Sequence, residues 1–541
     1  MRTFKFKRSL TLVAVSSLLS ITVVSIPTAA QATPVCTTAS GVTTCLGATS
    51  DTAPYMLMTP ANFNGTVYLY SHGYRPNVPV PAGIPGYGGY TVTNTPEPAP
   101  GGDAKIIGTL LAKGYAVMGS GFARQGWNAD SAIKTNVELI GVFKKQYPKT
   151  TKVVAWGNSL GGFITQALAE KYPDLISAAA PLCMASDLTP NMTMAGDALW
   201  GVKTFFDPTI KGGGYSAGTA GYAEAMGDLV KVFTAIGAMQ AAISANPTAP
   251  AWPATSKVPD ALKAVPSRSA LVLVALMSGV PMQSAHFDST SAPAGLPASN
   301  ALSFQLAINP ALAALENLAN AAALAVLATH DVEQQAGGAI FDNTATDYSA
   351  RVSAERFIWS SALSGEAGVN ALLGYLAAVP RVKGNPAAIA KLATLTTHTG
   401  KVEVPTILFT GTADVVTPAG NQQAVIDKYA AYSAEKWAAA KKEGTRKKPA
   451  NNQLVLWNFP PEKYTKFTAA GSPDTTGAAA TGTNHCNFTT SQYLAIADLL
   501  AYAAENGKNM SGGALYTKIR KAGNMTYDRG YEAPRLKYYG E

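Results

Sequence analysis

Along the first third of this chain, segments with the hydrophobic pattern of a strand alternate with segments that have the hydrophobic pattern of a helix. Short runs rich in β-branched and aromatic residues predict buried strands. These runs lie at residues 65–73, 114–122, 151–157 and 176–183. Segments with apolar residues at helical spacing separate them. The helical segments are residues 104–113, 131–147 and 161–172. This alternation predicts an α/β fold with a mostly parallel sheet and helices on both of its faces.

The middle of the chain has a different pattern. Residues 188–395 are rich in alanine and mostly helical in period, and strand patterns are scarce among them. Two strand patterns and a closing amphipathic helix then follow at residues 404–414, 452–459 and 491–506. The tail after Gly507 shows no clear periodicity. We therefore expect a helical cap, residues 188–395, inserted between two parts of one core, residues 33–187 and residues 396–541.

The first 32 residues are predicted to be a secretory signal peptide. Their start is basic, with Arg2, Lys5, Lys7 and Arg8. An apolar run up to Ile26 follows, and Ala30 and Ala32 supply the small residues of a cleavage site. A membrane anchor is the alternative, but the apolar run is short and interrupted by serines. We expect a secreted protein that is cleaved near Ala32.

Composition and charge limit the kinds of molecule that this protein is expected to bind. The 541 residues are 47% hydrophobic and 14% charged, which supports a large buried core and excludes a disordered chain. Removal of the signal peptide lowers the net charge from +9 to +5. The densest basic cluster, residues 441–448, is interpreted as a solvated helix end and loop, so no nucleic-acid partner is predicted. The most apolar later stretch, residues 270–280, is interpreted as a buried helix or strand, so no stable membrane insertion is predicted.

Two serines lie in the pattern G-x-S-x-G, which can hold a nucleophile on a tight turn. They are Ser159 in "GNSLG" and Ser216 in "GYSAG". The pattern is short enough to occur by chance, so its context must decide. A predicted strand precedes Ser159 and a predicted helix follows it, whereas Ser216 lies in a glycine-rich loop. We therefore assign Ser159 as the nucleophile and interpret Ser216 as part of a connection.

With "GNSLGG" after a strand and "SHG" after an earlier strand, the sequence resembles the α/β-hydrolase family. The resemblance covers about 155 residues before the cap and about 115 after it, and it implies the α/β-hydrolase fold. Members of this family place their catalytic residues in the order serine, acid, histidine. Asp414 ends the predicted strand at residues 404–414 and is the candidate acid, with Asp187 as the reserve. His485 is the only histidine after Asp414 and is the candidate base.

The three residue types fit one chemistry. A serine hydroxyl is a poor nucleophile at neutral pH, so His485 must take the proton of Ser159 during the attack. Asp414 would fix the histidine tautomer and stabilise the imidazolium. The resemblance also implies an oxyanion hole made by the backbone N–H groups of Leu160 and Tyr74. By the same resemblance, the neighbouring histidine of the "SHG" motif is structural.

The four cysteines allow three pairings. Cys36 and Cys45 flank a turn-like segment, which favours a local bridge between them. Cys486 follows His485, as in tannases and feruloyl esterases, where a cysteine before the serine bridges to one after the histidine. This chain departs from that pattern because Asn158 precedes the serine. We predict instead a Cys183–Cys486 bridge that holds the histidine loop, with two separate thiols as the alternative.

The leading hypothesis is a secreted serine hydrolase that cleaves small-molecule or polymeric carboxylic esters. A secreted peptidase of the same fold is the alternative, and it often needs an acidic anchor for the substrate amine. The acids that the cap offers are Glu316, Asp331, Glu333 and Glu355. A third possibility is a binding protein with an inactive site, which the complete set of candidate residues argues against. The sequence contains no metal-ligand cluster or phosphate loop, so no cofactor is predicted.

Overall fold

The computed structural model describes residues 33–395, 398–446 and 448–536, so the predicted signal peptide lies outside the described residues. Nine strands form one sheet within these ranges. The strands are β1 (Val35–Ala39), β2 (Val42–Ala48), β3 (Pro54–Pro60), β4 (Thr66–Ser71), β5 (Ala116–Ser120), β6 (Lys152–Asn158), β7 (Ala178–Leu182), β8 (Thr406–Gly411) and β9 (Gln453–Asn458).

The strand order in the sheet is β1-β2-β3-β5-β4-β6-β7-β8-β9. Strands β4 to β9 pair in parallel, whereas β1, β2 and β3 form an antiparallel edge. The chain has the α/β-hydrolase fold. The predicted fold class is therefore confirmed, and β6, which leads into Ser159, lies near the centre of the sheet.

Helices cover both faces of the sheet. The first three are α1 (Ala104–Ala112), α2 (Ala129–Gln146) and α3 (Leu160–Lys171). Alternate residues of β4 divide between the two sides: Val67 and Leu69 pack with α2 and α3, whereas Tyr68 and Tyr70 pack with α1 on the opposite face. This period of two is the pattern that β-strand geometry requires when both faces are buried.

Every described element between β7 and β8 is helical. These helices are α4 (Leu188–Phe205), α5 (Gly218–Ala245), α6 (Ser267–Ser278), α7 (Ala298–Ser303), α8 (Asn309–Ala336), α9 (Tyr348–Arg351), α10 (Glu355–Ile358), α11 (Gly365–Ala378) and α12 (Pro386–Leu395), with a 3₁₀ turn at Asp260–Ala264 and a π turn at Phe304–Ile308. All twelve residues of α6 are buried, and α4, α5 and α8 pack around it. The apolar stretch at residues 270–280 is thus a buried helix.

Three more helices follow β8 among the residues that the structure describes. They are α13 (Ala419–Lys442), α14 (Thr490–Asn506) and α15 (Gly512–Ala522). Of these, α14 is the predicted closing helix, and it begins with a capping box in which Thr489 and Gln492 each bond the backbone of the other. Helix α15 lies in the tail where the sequence showed no clear periodicity. Its two buried apolar residues, Leu515 and Ile519, pack against α14 on the face that also holds α1.

Two helices correct one sequence-based expectation. The sequence predicted no bilayer-length apolar stretch after the signal peptide, yet α5 and the helical run Ala298–Ala336 have the length and composition of membrane-crossing helices. In each, about half of the most apolar window is buried inside the protein, 50% and 56% respectively. The expectation that no later stretch would be long and apolar enough failed, because cap helices that are rich in alanine and poor in charge can reach the mean hydropathy of a membrane-spanning helix. Buried helices of a protein core pass the same test of length and composition, so these two are weak evidence for a membrane span.

The turn from β6 into α3 brings three backbone segments unusually close together. A Cβ on Gly161 would lie 1.9 Å from the carbonyl oxygen of Ser71, and one on Gly157 would lie 2.4 Å from that of Gly161. A Cβ on Gly162 would lie 2.7 Å from the carbonyl oxygen of Leu182. Glycine is therefore required at all three positions, because a backbone oxygen cannot move aside as a flexible side chain can.

We predict that Gly161→Ala lowers the free energy of unfolding by about 3 kcal/mol, because the added methyl group overlaps the end of β4. Gly108→Ala is the matched control: Gly108 lies on the exposed face of α1, where a Cβ would have no neighbouring atom within 4 Å. That control should gain about 0.5–1 kcal/mol from helix propensity. Thermal and denaturant unfolding measure both, and equal effects would contradict the steric account.

Candidate active site

Ser159 occupies a strained turn between a strand and a helix. It follows β6 directly, it precedes the first residue of α3, and its backbone has φ 59° and ψ −121°. Such a left-handed φ is uncommon for a residue other than glycine and is found at functional sites. The backbone N–H of Ser159 donates to the carbonyl oxygen of Leu182, at 3.0 Å, which ties the turn to the end of β7.

Ser216 has none of these features. It lies in an exposed loop before α5, and both its N–H and its Oγ bond to the carboxylate of Glu224, at 2.7 and 3.0 Å. Among the described elements, a helix and not a strand precedes this loop. The second G-x-S-x-G match is therefore part of a connection in the cap.

Asp414 and His485 lie together at the carboxyl edge of the sheet. The Nδ1 atom of His485 is 3.0 Å from each carboxylate oxygen of Asp414. Asp414 follows β8, is fully buried, and also accepts the backbone N–H groups of Val416, Thr417 and Cys486. With Nδ1 donating to the carboxylate, Nε2 carries the free lone pair, which is the tautomer that a general base needs.

The reserve acid, Asp187, has a different position. It is the N-cap of α4, where its carboxylate accepts the N–H of Thr189 at 3.1 Å. Burial raises the pKa of Asp187, and no bond joins its carboxylate to His485 within the described ranges. The structure therefore brings Asp414, and not Asp187, to the histidine.

Thr417 links the Ser159 pocket to His485. Ser159 and Thr417 both line the pocket, and the Oγ1 of Thr417 is 3.4 Å from His485 Nδ1. No hydrogen bond joins Ser159 Oγ to His485 in the described part of the chain. Hydrogen bonds of this kind are often long in a free enzyme and shorten when the substrate binds.

The predicted oxyanion loop packs directly on Ser159. A Cβ on Gly73 would lie 3.3 Å from the Cβ of Ser159, so a larger residue there would require the loop that carries Tyr74 to shift by a few tenths of an ångström. Leu160 is the first residue of α3, and its N–H has no acceptor within the helix. Tyr74 and Leu160 both line the pocket with Ser159. Their backbone N–H groups are the proposed oxyanion donors.

His72 supports this loop and does not titrate near neutral pH. Its Nδ1 donates to the carbonyl oxygen of Gly73 at 2.7 Å, and its ring packs 4.6 Å from that of Phe122. Burial lowers the pKa of His72 to about 3, with the positive charge of Arg75 as a second cause. The imidazole is therefore neutral, which suits a structural residue.

Asp331 connects the cap to the oxyanion loop. This carboxylate of α8 accepts hydrogen bonds from Tyr74 Oη at 3.3 Å and Asn77 Nδ2 at 2.7 Å. It also accepts the backbone N–H of Trp127 at 2.6 Å and Gln335 Nε2 at 3.0 Å. Burial raises the pKa of Asp331, although these hydrogen bonds oppose the effect. The sequence showed Asp331 only as one of several cap acids, because three of its four partners lie more than 200 residues away.

Both predicted disulfides are present, Cys36–Cys45 and Cys183–Cys486. The second one joins the end of β7 to the residue after His485, across a sequence separation of 303 residues. Asn484 and Cys486, on either side of His485, have left-handed backbones with φ 62° and 51°. A loop with this conformation needs outside support, and the bridge and Asp414 supply it.

Asn158 takes a different role from the cysteine found there in tannases. Its Nδ2 donates to the hydroxyl of Tyr493 on α14, at 2.6 Å. The contact holds the end of β6 against α14, while the bridge to the histidine loop starts from the neighbouring strand, β7. The departure from the tannase pattern therefore moves the disulfide by one strand.

A pocket opens in front of Ser159. Its wall combines residues from the sheet side, such as Leu160 of α3, with residues from cap helices, such as Val232 of α5 and Leu318 of α8. No charged side chain is among its described lining residues. Trp127 also lines it, whereas Arg124 pairs with Asp130 outside it.

Asp414, His485 and Cys486 are close enough to one another to be metal ligands, with donor atoms within 4.8 Å. The sulfur of Cys486 is bonded to Cys183, so it cannot supply a thiolate. The carboxylate of Asp414 already accepts hydrogen bonds from His485 and three backbone groups. The donors of this trio therefore do not fit a metal ion.

A second contact holds the cap against the segment before His485. The Nδ1 of His286 lies 2.6 Å from Glu316 Oε1, and its Nε2 lies 3.1 Å from the carbonyl oxygen of Gly477. Burial lowers the pKa of His286, but the Glu316 carboxylate outweighs it, and the net shift is upward. When the ring carries both protons, it can donate to both partners.

Several solved structures align with part of this chain. Feruloyl esterase B from Aspergillus oryzae aligns over 77% of this chain and 72% of its own, with 12% identity and a TM-score of 0.31. An esterase from Pyrococcus furiosus aligns over 30% of this chain and 58% of its own, with 15% identity and a TM-score of 0.21. An acylaminoacyl peptidase from Pyrococcus horikoshii aligns over 30% and 24%, with 13% identity and a TM-score of 0.21. No family model or curated protein matches the sequence. Likeness at this level carries nothing about the site.

We predict that Asp331→Asn lowers kcat for an ester substrate by about tenfold with little change in KM. The amide cannot accept all four hydrogen bonds, so Tyr74 and Trp127 shift where a small displacement is costly. Asp130→Asn is the control, because the Asp130 side chain is 68% exposed and outside the pocket. Steady-state kinetics and thermal unfolding measure both variants. A lower melting temperature with unchanged kcat would show that Asp331 acts on stability alone.

We also predict that the double variant Cys183→Ala, Cys486→Ala loses about tenfold in kcat, because the left-handed loop around His485 relaxes. The other disulfide provides the control: Cys36→Ala, Cys45→Ala should keep kcat, since it changes only the β1–β2 edge of the sheet. Kinetics at a temperature where circular dichroism shows both variants folded make the comparison. Equal losses in the two variants would contradict a specific role for the Cys183–Cys486 bridge.

Proposed function

We propose that the protein is a secreted serine hydrolase that cleaves carboxylic esters through an acyl-enzyme on Ser159. The observation that carries this is the placement of Ser159: it lies on a strained turn, next to two candidate oxyanion donors, in an apolar pocket beside the Asp414–His485 pair. The predicted signal peptide and the two disulfides support secretion, because structural disulfides form in oxidising compartments.

The reaction proceeds in two balanced steps. Ser159 Oγ attacks the ester carbonyl carbon while His485 Nε2 takes the hydroxyl proton, and the carbonyl oxygen becomes negative between the N–H groups of Leu160 and Tyr74. The carbon–oxygen bond to the alcohol then breaks, and His485 gives its proton to the departing oxygen. A water molecule repeats the sequence on the acyl-enzyme, which releases the acid and restores Ser159. Asp414 stays ionised and stabilises the imidazolium.

The cap acids favour an ester over a peptide substrate. A peptidase that cuts near a free amino terminus often holds the amine with a carboxylate, but each of the four candidates already has a partner within the protein. Glu316 binds His286, Asp331 binds the oxyanion loop, and Glu333 accepts the backbone N–H groups of residues 214 and 215. None of the four is among the described residues that line the pocket. A peptidase of this fold therefore remains the second candidate.

We predict that a fluorophosphonate probe labels the purified protein and that Ser159→Ala abolishes the labelling. Ser216→Ala is the matched control and should be labelled like the wild type. Nitrophenyl esters assayed against aminoacyl anilides then separate the two candidate activities, and we expect turnover of the esters only. A folded wild-type protein that stays unlabelled would overturn the assignment of Ser159, and preferred cleavage of the anilides would support the peptidase.

A further inference from the structure

We propose that the pocket takes an aliphatic acyl chain, which runs from Ser159 into the helical cap. The proposal rests on the proposed function and adds the substrate class. It concerns the acid part of the ester, because the chain must remain bound while it is attached to Ser159. It is derived from the shape of the pocket, the state of its polar groups and the size of the side chains on its wall.

The pocket connects two separate hydrophobic cores. Leu160 and Leu188 belong to the core beneath the sheet, next to Ser159. Val232, Ile236 and Val280 belong to the core of the cap. All five line the same pocket, so an apolar path leads from the nucleophile to the interior of the cap. An aliphatic chain that follows this path is removed from contact with water along most of its length.

The polar side chains on the wall are already engaged. Tyr74 Oη bonds to Asp331 at 3.3 Å, and Thr417 Oγ1 donates to the carbonyl oxygen of Cys183 at 2.8 Å. Asn191 exchanges two hydrogen bonds with Asn421, each 3.0 Å long. These three side chains therefore have partners within the protein.

The remaining polar atom on the wall, besides the hydroxyl of Ser159, is the indole nitrogen of Trp127. It is buried and has no acceptor within the described residues, so its N–H is not presented to a ligand. A hydroxylated aromatic acid bound in the pocket would therefore lose the hydration of its phenol without gaining a partner, and that loss is unfavourable. An alkyl chain has no such groups, which makes it the acyl group that the wall fits.

Alanines set the width of the path. Ala195 and Ala198 lie one turn apart on α4, and Ala321, Ala325 and Ala328 lie along one side of α8. Ala195 packs towards the sheet core and Ala198 towards the cap core. A large side chain at Ala198 should therefore block the far part of the path and leave the part near Ser159 open.

The first experiment measures kcat/KM of the wild-type enzyme for nitrophenyl acetate, butyrate, octanoate and dodecanoate, each below its micelle-forming concentration. We expect kcat/KM to rise from acetate to at least octanoate, by up to about fourfold per methylene that is buried. Methyl octanoate and methyl ferulate, which share one alcohol, are then compared. We expect the octanoate to be cleaved faster.

The second experiment uses Ala198→Phe. We expect this variant to lose at least about tenfold in kcat/KM for the octanoate and the dodecanoate, while the acetate stays within about twofold of the wild type. Ala241→Phe is the matched control, because Ala241 is exposed on α5 and does not line the pocket. It should keep the chain-length profile of the wild type.

The outcomes separate this proposal from the proposed function. If the probe labels Ser159 but kcat/KM falls beyond the butyrate, or the ferulate is preferred, the aliphatic pocket is wrong and the hydrolase stands. If no labelling occurs, the hydrolase itself is wrong. Equal losses for all esters in Ala198→Phe would overturn the path through the cap. Should that variant not fold, the wild-type profile alone decides.

Discussion

The close packing of α3 against the ends of β4 and β7 is the constraint on which the site depends. Three glycines allow it, because a Cβ on any of them would overlap a backbone oxygen. The helix consequently starts directly over the sheet, Ser159 is forced into a left-handed conformation, and its side chain faces the pocket. The strain of this turn is balanced by burial of almost all of β6 and α3, so the nucleophile is held by a densely packed part of the fold.

Two other parts of the site, His485 and the oxyanion loop, are fixed from outside their own loops. Asp414 is held by the backbone that follows it, and His485 is held by Asp414 and by the disulfide beside it. The oxyanion loop is held by the cap, through Asp331. The supports of His485 and of the oxyanion loop each join segments that are far apart in sequence. The site is therefore assembled only when the core and the cap have both folded.

Sequence reasoning succeeded where the signal was local. Strand periodicity was enough for the fold class. The glycines of "GNSLGG" and the order of Ser159, Asp414 and His485 indicated the candidate residues, and their catalytic roles stay a prediction. It missed α15, whose segment starts with two glycines and buries only Leu515 and Ile519. It also could not show what Asp331 does, because the partners come together only in three dimensions. The same limit applies to the pocket, whose wall is drawn from several cap helices and the sheet.

Because the cap is inserted between β7 and β8, the proposed catalytic groups and the helices that shape the pocket lie in different parts of the molecule. Groups proposed to make and break bonds sit on the sheet, at the ends of β6 and β8 and in the loop after β9, while α4, α5 and α8 shape the space that a substrate enters. Exchange of the cap side chains that line the pocket, which do not include Asp331, can therefore change which molecules are accepted without disturbing reactivity. A lineage, or an engineer, could diversify this protein by rewriting one stretch of sequence and leaving the chemistry as it is.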